Sequence, residues 1–378
     1  MKIKTITCQK VQNHGATLQA YALMHYLELL GHDVEIIDYL PAQFKHFRPF
    51  YCGTPKYAEN PLLKFAYICV KFPGRLYSYI KYLISKRKKN FEFFWNKYYN
   101  LTSRYENFEQ LKLNPPEADL YIAGSDQIWN TMMDNGKDPA YYLQFVPDGK
   151  RTATYAASFS VSEIPDELKN QIKKYIESID FVSVRENTAL NILRDLGIDK
   201  GQTVLDPVFL LDKEQWNVLE CDKKFDDNYV LVYDFEGAQA VENFAIEYAK
   251  AHDVKIYSLY NNSYCDRCFE DYGPDMFLSL IKNAEFVISN SFHATAFSII
   301  YEKQFVVIKR QEAINSRMSD LLNLFNIQSR TVINYVELKD IDYNLINKLI
   351  ENQIIKSKNY LNRVLESKKW KKRKFCLL

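Results

Sequence analysis

The residues best suited to chemistry lie in Ser289-Asn290-Ser291-Phe292-His293-Ala294-Thr295-Ala296. An apolar run ends there in small polar residues, and a helix-compatible run follows. This spacing predicts that His293 sits in the first turn of a helix, at the carboxyl edge of a sheet. The positive end of a helix dipole disfavours an imidazolium, leaving a neutral imidazole for general-base work. Unpaired backbone N–H groups in the same turn can hold an anion. A histidine that merely caps the turn would use the same position. Asn13-His14-Gly15 occupies the equivalent place in the opening strand–helix unit, where Gly15 would let a ligand approach the backbone, or serve a simple cap. Ser125, Asp126, Gln127 and Trp129 follow another apolar stretch. Polar side chains beside a Trp suit a sugar, which offers hydroxyls and an apolar face; a helix cap with Trp129 in the core accounts for them equally. Arg185 ends a further candidate strand and could grip a carboxylate or phosphate through two nitrogens, or pair with Glu186. Lys309, Arg310 and Arg317 follow the strand after the His293 helix, where they would either add charge to the same cleft or lie on a solvated face.

Composition removes several function classes. The 378 residues are 47% hydrophobic and 25% charged, with 49 Lys and Arg against 47 Asp and Glu, so no global basic field recruits nucleic acid. Seven Cys in so long a chain do not make a disulfide scaffold. Cys265-Asp266-Arg267-Cys268 is a single CxxC without the second pair that zinc needs, so no metal site is expected. Walker, GxSxG, HExxH and GxGxxG patterns are absent from the sequence. The longest stretch without Asp, Glu, Lys or Arg, 286–301, is 16 residues and holds Asn290 and His293, too short and polar for a membrane span. Met1-Lys2-Ile3-Lys4-Thr5 reads as a strand rather than an apolar leader. A cytoplasmic protein is the expectation.

The elements that must position these residues alternate between strand and helix, the pattern of parallel sheets wrapped by helices. Strands are predicted at 3–7, 34–40, 120–123, 152–157 and 181–184, and then at 229–233, 254–259, 286–289 and 305–308. Leu23, Tyr26, Leu27 and Leu30 mark one face of the first helix, which Gly31 ends. The expected fold class is α/β: two Rossmann-like domains, 1–200 and 201–335, facing each other across a cleft. In such sheets ligands bind beyond the carboxyl ends of the strands. Residues 336–378 should form a helical segment that packs back on the first domain. An insertion at about 41–99, rich in Tyr, Phe, Lys and Arg, interrupts the first series and reads as one or two amphipathic helices. Together with the basic tail 368–374 it could dock residues 64–99 on anionic lipid, each cation near such a surface contributing on the order of 1 kcal/mol; solvated helix faces and Tyr packing are the plain alternative.

Five segments occur in the order seen in polysaccharide pyruvyl transferases, which the chain resembles over about residues 1–330: the run from Asn13 to Leu23, Gly124-Ser125-Asp126-Gln127-Ile128-Trp129-Asn130, Ser183-Val184-Arg185-Glu186, Asp206-Pro207-Val208 and Ser291-Phe292-His293. The resemblance implies a fold like that of the GT-B glycosyltransferases. It also implies transfer of pyruvate from phosphoenolpyruvate to two hydroxyls of a sugar, in a polysaccharide or lipid-linked glycan precursor, to leave a cyclic ketal. His293 would shuttle the proton, Arg185 would meet the anionic donor, and Ser291, Asn290, Arg317, Arg310 and Lys309 would complete the donor site. Asn13, His14, Gly15, Ser125, Asp126, Gln127 and Trp129 would face the acceptor. No cofactor is implied. The family's Ser-x-Arg-x-His motif falls on 289–293, and Ser291 stands where its arginine would be; Arg317 is the expected replacement. The shared fold leaves a nucleotide-sugar glycosyltransferase as one alternative, and a non-catalytic sugar-binding protein as another. Docking at the inner face of the cytoplasmic membrane would fit a lipid-linked acceptor.

Overall fold

The computed structural model describes residues 1–45, 60–221, 223–234, 236–309 and 315–367. Arg310 and the basic tail 368–374 lie outside them. The first lobe runs β1 (Lys2–Ile6), α1 (His14–Leu29), β2 (Asp33–Tyr39), α2 (Pro61–Ile84), α3 (Lys86–Tyr98), β3 (Leu101–Tyr105), α4 (Phe108–Leu113), β4 (Leu120–Ala123), β5 (Arg151–Thr154), α5 (Asp166–Glu177), β6 (Ser183–Val184), α6 (Asn187–Asp195) and β7 (Gln202–Thr203). A short helix, α7 (Lys213–Asn217), leads to the second lobe: β8 (Tyr229–Tyr233), α8 (Gln239–His252), β9 (Lys255–Ser258), β10 (Arg267–Cys268), α9 (Pro274–Asn283), β11 (Phe286–Ser289), α10 (Phe292–Ile300), β12 (Gln304–Ile308), α11 (Asn315–Leu324) and β13 (Thr331–Val332). A final helix, α12 (Tyr343–Glu366), follows.

Both sheets are parallel and share one topology. The first has the order β3-β2-β1-β4-β5, continued toward the β6–β7 pair by single bridges at Ala153–Phe181 and Ala157–Val184. The second has the order β10-β9-β8-β11-β12-β13. In each, the first strand of the series is central and the chain then crosses to its other side. The loops leaving β1 and β4, and those leaving β8 and β11, therefore diverge at a switch point, where such sheets bind ligands. The fold is α/β with two Rossmann-like sheets, the GT-B-like arrangement expected from the sequence. The strands β4, β8 and β11 are buried throughout, matching their continuous apolar runs.

The lobes share one apolar core that takes in α1, Trp216, α10 and α12. Helix α1 is buried along nearly its whole length rather than on the single face read from Leu23, Tyr26, Leu27 and Leu30. It lies against its own sheet on one side and the second lobe on the other, so an apolar circumference is what burial demands; Leu30, at its C-cap, is exposed. Within the insertion, α3 buries Phe91, Phe94 and Trp95, and Trp95 donates to the Thr17 hydroxyl on α1. Helix α2 has no fully buried residue.

Helix α12, about 36 Å long at 1.5 Å per residue, straps the lobes together. Near its start the Tyr343 hydroxyl donates to the Lys303 carbonyl in the second lobe. Farther along, the Leu205 amide donates to Ser357 Oγ, and the Tyr360 hydroxyl donates to the Thr154 carbonyl of β5. At its end the buried Arg151 Nη1 donates to the carbonyls of Val364, Leu365 and Ser367 at 2.9–3.0 Å. A cation here satisfies orphan carbonyls at the negative end of the helix. Replacing Arg151 by Met keeps most of the volume and removes these donors; urea unfolding should show a loss of about 2–3 kcal/mol, and an unchanged midpoint would show that the carbonyls are satisfied without it.

Candidate active site at the seam between the sheets

The carboxyl edges of the two sheets meet at α1 and α10. Asn13 caps α1, its side chain accepting from the Ala16 amide at 3.1 Å. Ser291 caps α10, accepting from Ala294 N, and its own amide donates to Ser289 Oγ at 2.9 Å. Asn290 donates to Asp234, which joins the ends of β11 and β8. His293 follows Phe292 in the first turn of α10, as the sequence pattern predicts. A Cβ on Gly15 would lie 2.0 Å from His293 Nδ1. Only a glycine in the first turn of α1 lets this ring occupy the seam.

On the other side of the ring stands Asp206, which caps the short helical turn at Pro207–Leu210. Its Oδ2 lies 3.6 Å from His293 Nε2, inside ion-pair range but beyond a hydrogen bond. The same oxygen accepts from Arg185 Nη1 at 2.6 Å and from Ser125 Oγ at 3.2 Å, and Oδ1 accepts from the Val208 amide. Burial opposes the charge on Asp206, but His293 and Arg185 outweigh it and hold the carboxyl well below the usual range. A carboxylate so placed can orient an imidazole and stabilise its protonated form.

Arg185 is buried, with a carboxylate within 3.8 Å of each of its nitrogens, although its Nε makes no hydrogen bond. Besides Asp206, its Nη2 is 3.4 Å from Asp126 Oδ1 and its Nε is 3.8 Å from Glu186 Oε2, while its guanidinium covers the Phe292 ring at 4.5 Å. Burial disfavours its charge, and the three carboxylates more than restore it. Glu186 accepts from Ser158 Oγ, and burial pushes its carboxyl above the ordinary value despite Arg185 and Arg317. Arg317 reaches the same cluster from α11: its Nη1 is 3.8 Å from Asp126 Oδ1, and the Gln127 amide, with its oxygen turned toward it, accepts from Nη1 and Nη2 at 3.2 and 2.7 Å. Two guanidiniums thus face three carboxylates. The cavity beside them, lined by Arg185, Asp206, Phe292, Arg317 and Asp320, is about 40 Å³, room for about one water.

The structure brings together Gly15, Ser125, Asp126, Gln127, Arg185, Asn290, Ser291, His293 and Arg317. It adds Asp206 and Glu186, which the sequence places in two of the five family segments without a site role. Others are corrected. Trp129 is 0% exposed, stacked on Tyr142 and donating to the Tyr141 carbonyl, so it fills the core and has no face for a sugar. His14 is also 0% exposed, stacked on Phe277 and 3.1 Å from the Tyr233 hydroxyl: it joins the lobes and meets no acceptor. Ser125 is spent on Asp206 and the Ala156 carbonyl. Each nitrogen of Arg185 lies within 3.8 Å of a carboxylate, so in this arrangement none faces open space for an anionic donor. Lys309 is exposed and lines a separate cavity of about 200 Å³ with Met318, Asn323 and Gln328. Cys265 and Cys268 are free thiols, and among the described residues no cluster of three His, Cys, Asp or Glu could hold a metal ion.

Comparison with known proteins yields a family model described as polysaccharide pyruvyl transferase, matching residues 13–312. No curated protein sequence matches the chain. Among solved structures, it is similar to the UDP-GlcNAc 2-epimerase from Methanocaldococcus jannaschii at 14% identity and a TM-score of 0.47, over 98% of this chain and 95% of that one. It is also similar to an Escherichia coli ADP-heptose lipopolysaccharide heptosyltransferase II at 10% identity and a TM-score of 0.39, over 95% and 100% of the two chains.

His14 makes stability depend on pH. Burial, with Arg87 nearby, pushes its imidazole well below the ordinary histidine value. Below pH ~6.5 an unfolded chain takes up a proton that the native site refuses, so stability falls as pH drops through that value, by at most roughly 1.4 kcal/mol per pH unit. Urea unfolding of the parent chain between neutral and mildly acid pH should show this slope, and His14→Phe should flatten it; parallel slopes would place the titration elsewhere.

Proposed function

The chain belongs to the polysaccharide pyruvyl transferase family, and from that premise we propose that it moves a pyruvyl group from phosphoenolpyruvate to two hydroxyls of one sugar, with His293 as the proton carrier. The enzyme is a transferase of polysaccharide pyruvylation; the donor, the ketal and the residue roles are the proposal. The observation that carries it is the placement of His293 between Gly15 and Asp206, where the carboxyl edges of both sheets converge.

In this scheme protonated His293 gives its proton to the methylene carbon of the donor, creating an oxocarbenium-like centre at the neighbouring carbon. A sugar hydroxyl adds there and its proton passes to the now neutral imidazole. His293 returns that proton to the leaving phosphate as the carbon–oxygen bond breaks, and the second hydroxyl closes the ring and gives its own proton to His293, which restores the protonated imidazole. General acid–base help of this kind contributes ~10²–10⁴-fold. Asp206 holds the imidazole and stabilises its charged form, and Arg185 keeps Asp206 ionised. With Ser291 in place of an arginine, Arg317 and the first-turn amides of α1 and α10 are the proposed seat for the donor's carboxylate and phosphate. The cavity of about 40 Å³ beside Arg185 and Phe292 does not hold donor and sugar together, so in this scheme the lobes open along the seam to admit them. The acceptor side falls to Asn13, Asp126 and Gln127, and a lipid-linked glycan would bring the enzyme to a membrane face.

Phosphate release from phosphoenolpyruvate, in the presence of methyl hexopyranosides of differing configuration, tests the scheme. His293→Ala should lower the rate at least about 100-fold in a chain that still folds, with a lowered melting temperature because the buried Asp206 loses a partner; full activity would remove His293 from the mechanism. Gly15→Ala, whose methyl would collide with the ring, should lose activity comparably while remaining folded, and wild-type rates would show that the ring need not sit there. Transfer from a nucleotide sugar is the competing use of this architecture. Thermal shift separates the two: phosphoenolpyruvate should raise the melting temperature, and a rise with uridine or guanosine diphosphate sugars alone would favour the competitor.

A further inference from the structure

We propose that α2 is a membrane-docking helix that lies flat in the surface of a bilayer containing anionic lipid. Around its 24 residues the exposed large apolar side chains gather on about half the circumference, and that half faces outward. Leu62, Phe65, Val70, Tyr77 and Ile84 are 68–81% exposed, with Leu76, Ile80 and Leu83 exposed beside them. The half-buried positions, Tyr67, Ile68, Arg75, Tyr79 and Tyr82, lie on the opposite side. A helix stabilised only by its own lobe would be turned the other way, with its apolar arc inward. Exposed apolar patches of this kind mark an interaction surface.

Charge selects the occupant. Residues 60–91 hold eight of the 49 Lys and Arg and none of the 47 Asp and Glu, so the rest of the chain is net negative. Lys64, Lys71, Lys81, Lys86 and Lys89 are exposed. An anionic surface would therefore attract this helix and repel the body, which fixes orientation as well as affinity. Cations on one arc and Phe, Leu and Ile on the other are the pattern of helices that lie in the interface plane. Among the described residues no helix is long and apolar enough to cross a membrane, so α2 rests on the bilayer. Helix α3, anchored by Phe91, Phe94 and Trp95 and by Arg87 donating to the carbonyls of Gln12 and Glu270, holds α2 to both lobes.

The inference is independent of the transfer chemistry, because docking is read without donor or acceptor. The full chain should co-sediment at low salt with vesicles of phosphatidylcholine containing phosphatidylglycerol, and at least about tenfold less with phosphatidylcholine alone or at high salt. Two triple variants, Phe65→Ser with Ile80→Ser and Ile84→Ser, and Lys64→Gln with Lys71→Gln and Lys81→Gln, should each weaken binding at least about tenfold. Neither should change the melting temperature or phosphate release with a soluble acceptor, since all six side chains are exposed. Failure to bind anionic vesicles, or binding untouched by both variants, overturns the proposal. So does a dimer that the apolar-face variant disperses in a protein that ignores vesicles, which would assign the face to a second copy.

Discussion

A carboxylate buried from bulk solvent stands where the two lobes meet, and it must remain charged. Desolvation of Asp206 is tolerable only because Arg185 donates to it at 2.6 Å from the first lobe and His293 approaches it from the second. Removing one partner of such a buried pair costs about 3–5 kcal/mol, since the other is left without compensation. The lobes are therefore held in register by a charge that neither could bury alone. What fixes the fold also fixes the ring that would carry the proton.

The surrounding architecture serves that contact. Each sheet places its first strand centrally and sends its neighbouring loops apart, so each opens a notch at its carboxyl edge, and α1 and α10 leave those notches with their first turns face to face. The missing side chain at Gly15 lets them approach; at Gly124 a Cβ would lie 2.1 Å from the Tyr155 carbonyl, so only glycine can turn the chain there toward Asp126. Helix α12 and the stacked His14 keep the seam closed. In the proposed scheme, donor binding competes with packing at the seam, and lobe opening is part of turnover.

Much of this was legible in the residue order. The continuous apolar runs at 120–123, 229–233 and 286–289 are central buried strands, which need no alternation. The step from strand to helix at Ser291 placed His293 in a first turn. The edge strands β3, β10 and β13 escaped because they are short or half exposed and carry no continuous apolar run. Trp129 and His14 misled for one reason: a polar or aromatic residue at a strand's carboxyl end looks alike whether it faces the cleft or the core, and only packing decides. Asp206 stood in one of the five family segments, Asp206-Pro207-Val208, but with no role that its own residue order could assign. Its partners lie 21 and 87 positions away, and no local pattern announces a contact made by tertiary folding. The outward apolar face of α2 was likewise unreadable, since periodicity reveals an amphipathic helix but not which way it is turned.

The central claim is that the donor meets His293 at this seam. With six histidines in the chain, selective ¹⁵N labelling makes it observable without knowing the acceptor. Titrating phosphoenolpyruvate should shift the His293 ring resonances, assigned through His293→Gln, saturably and before any other histidine. A titration that leaves His293 unmoved while the donor binds would contradict the account.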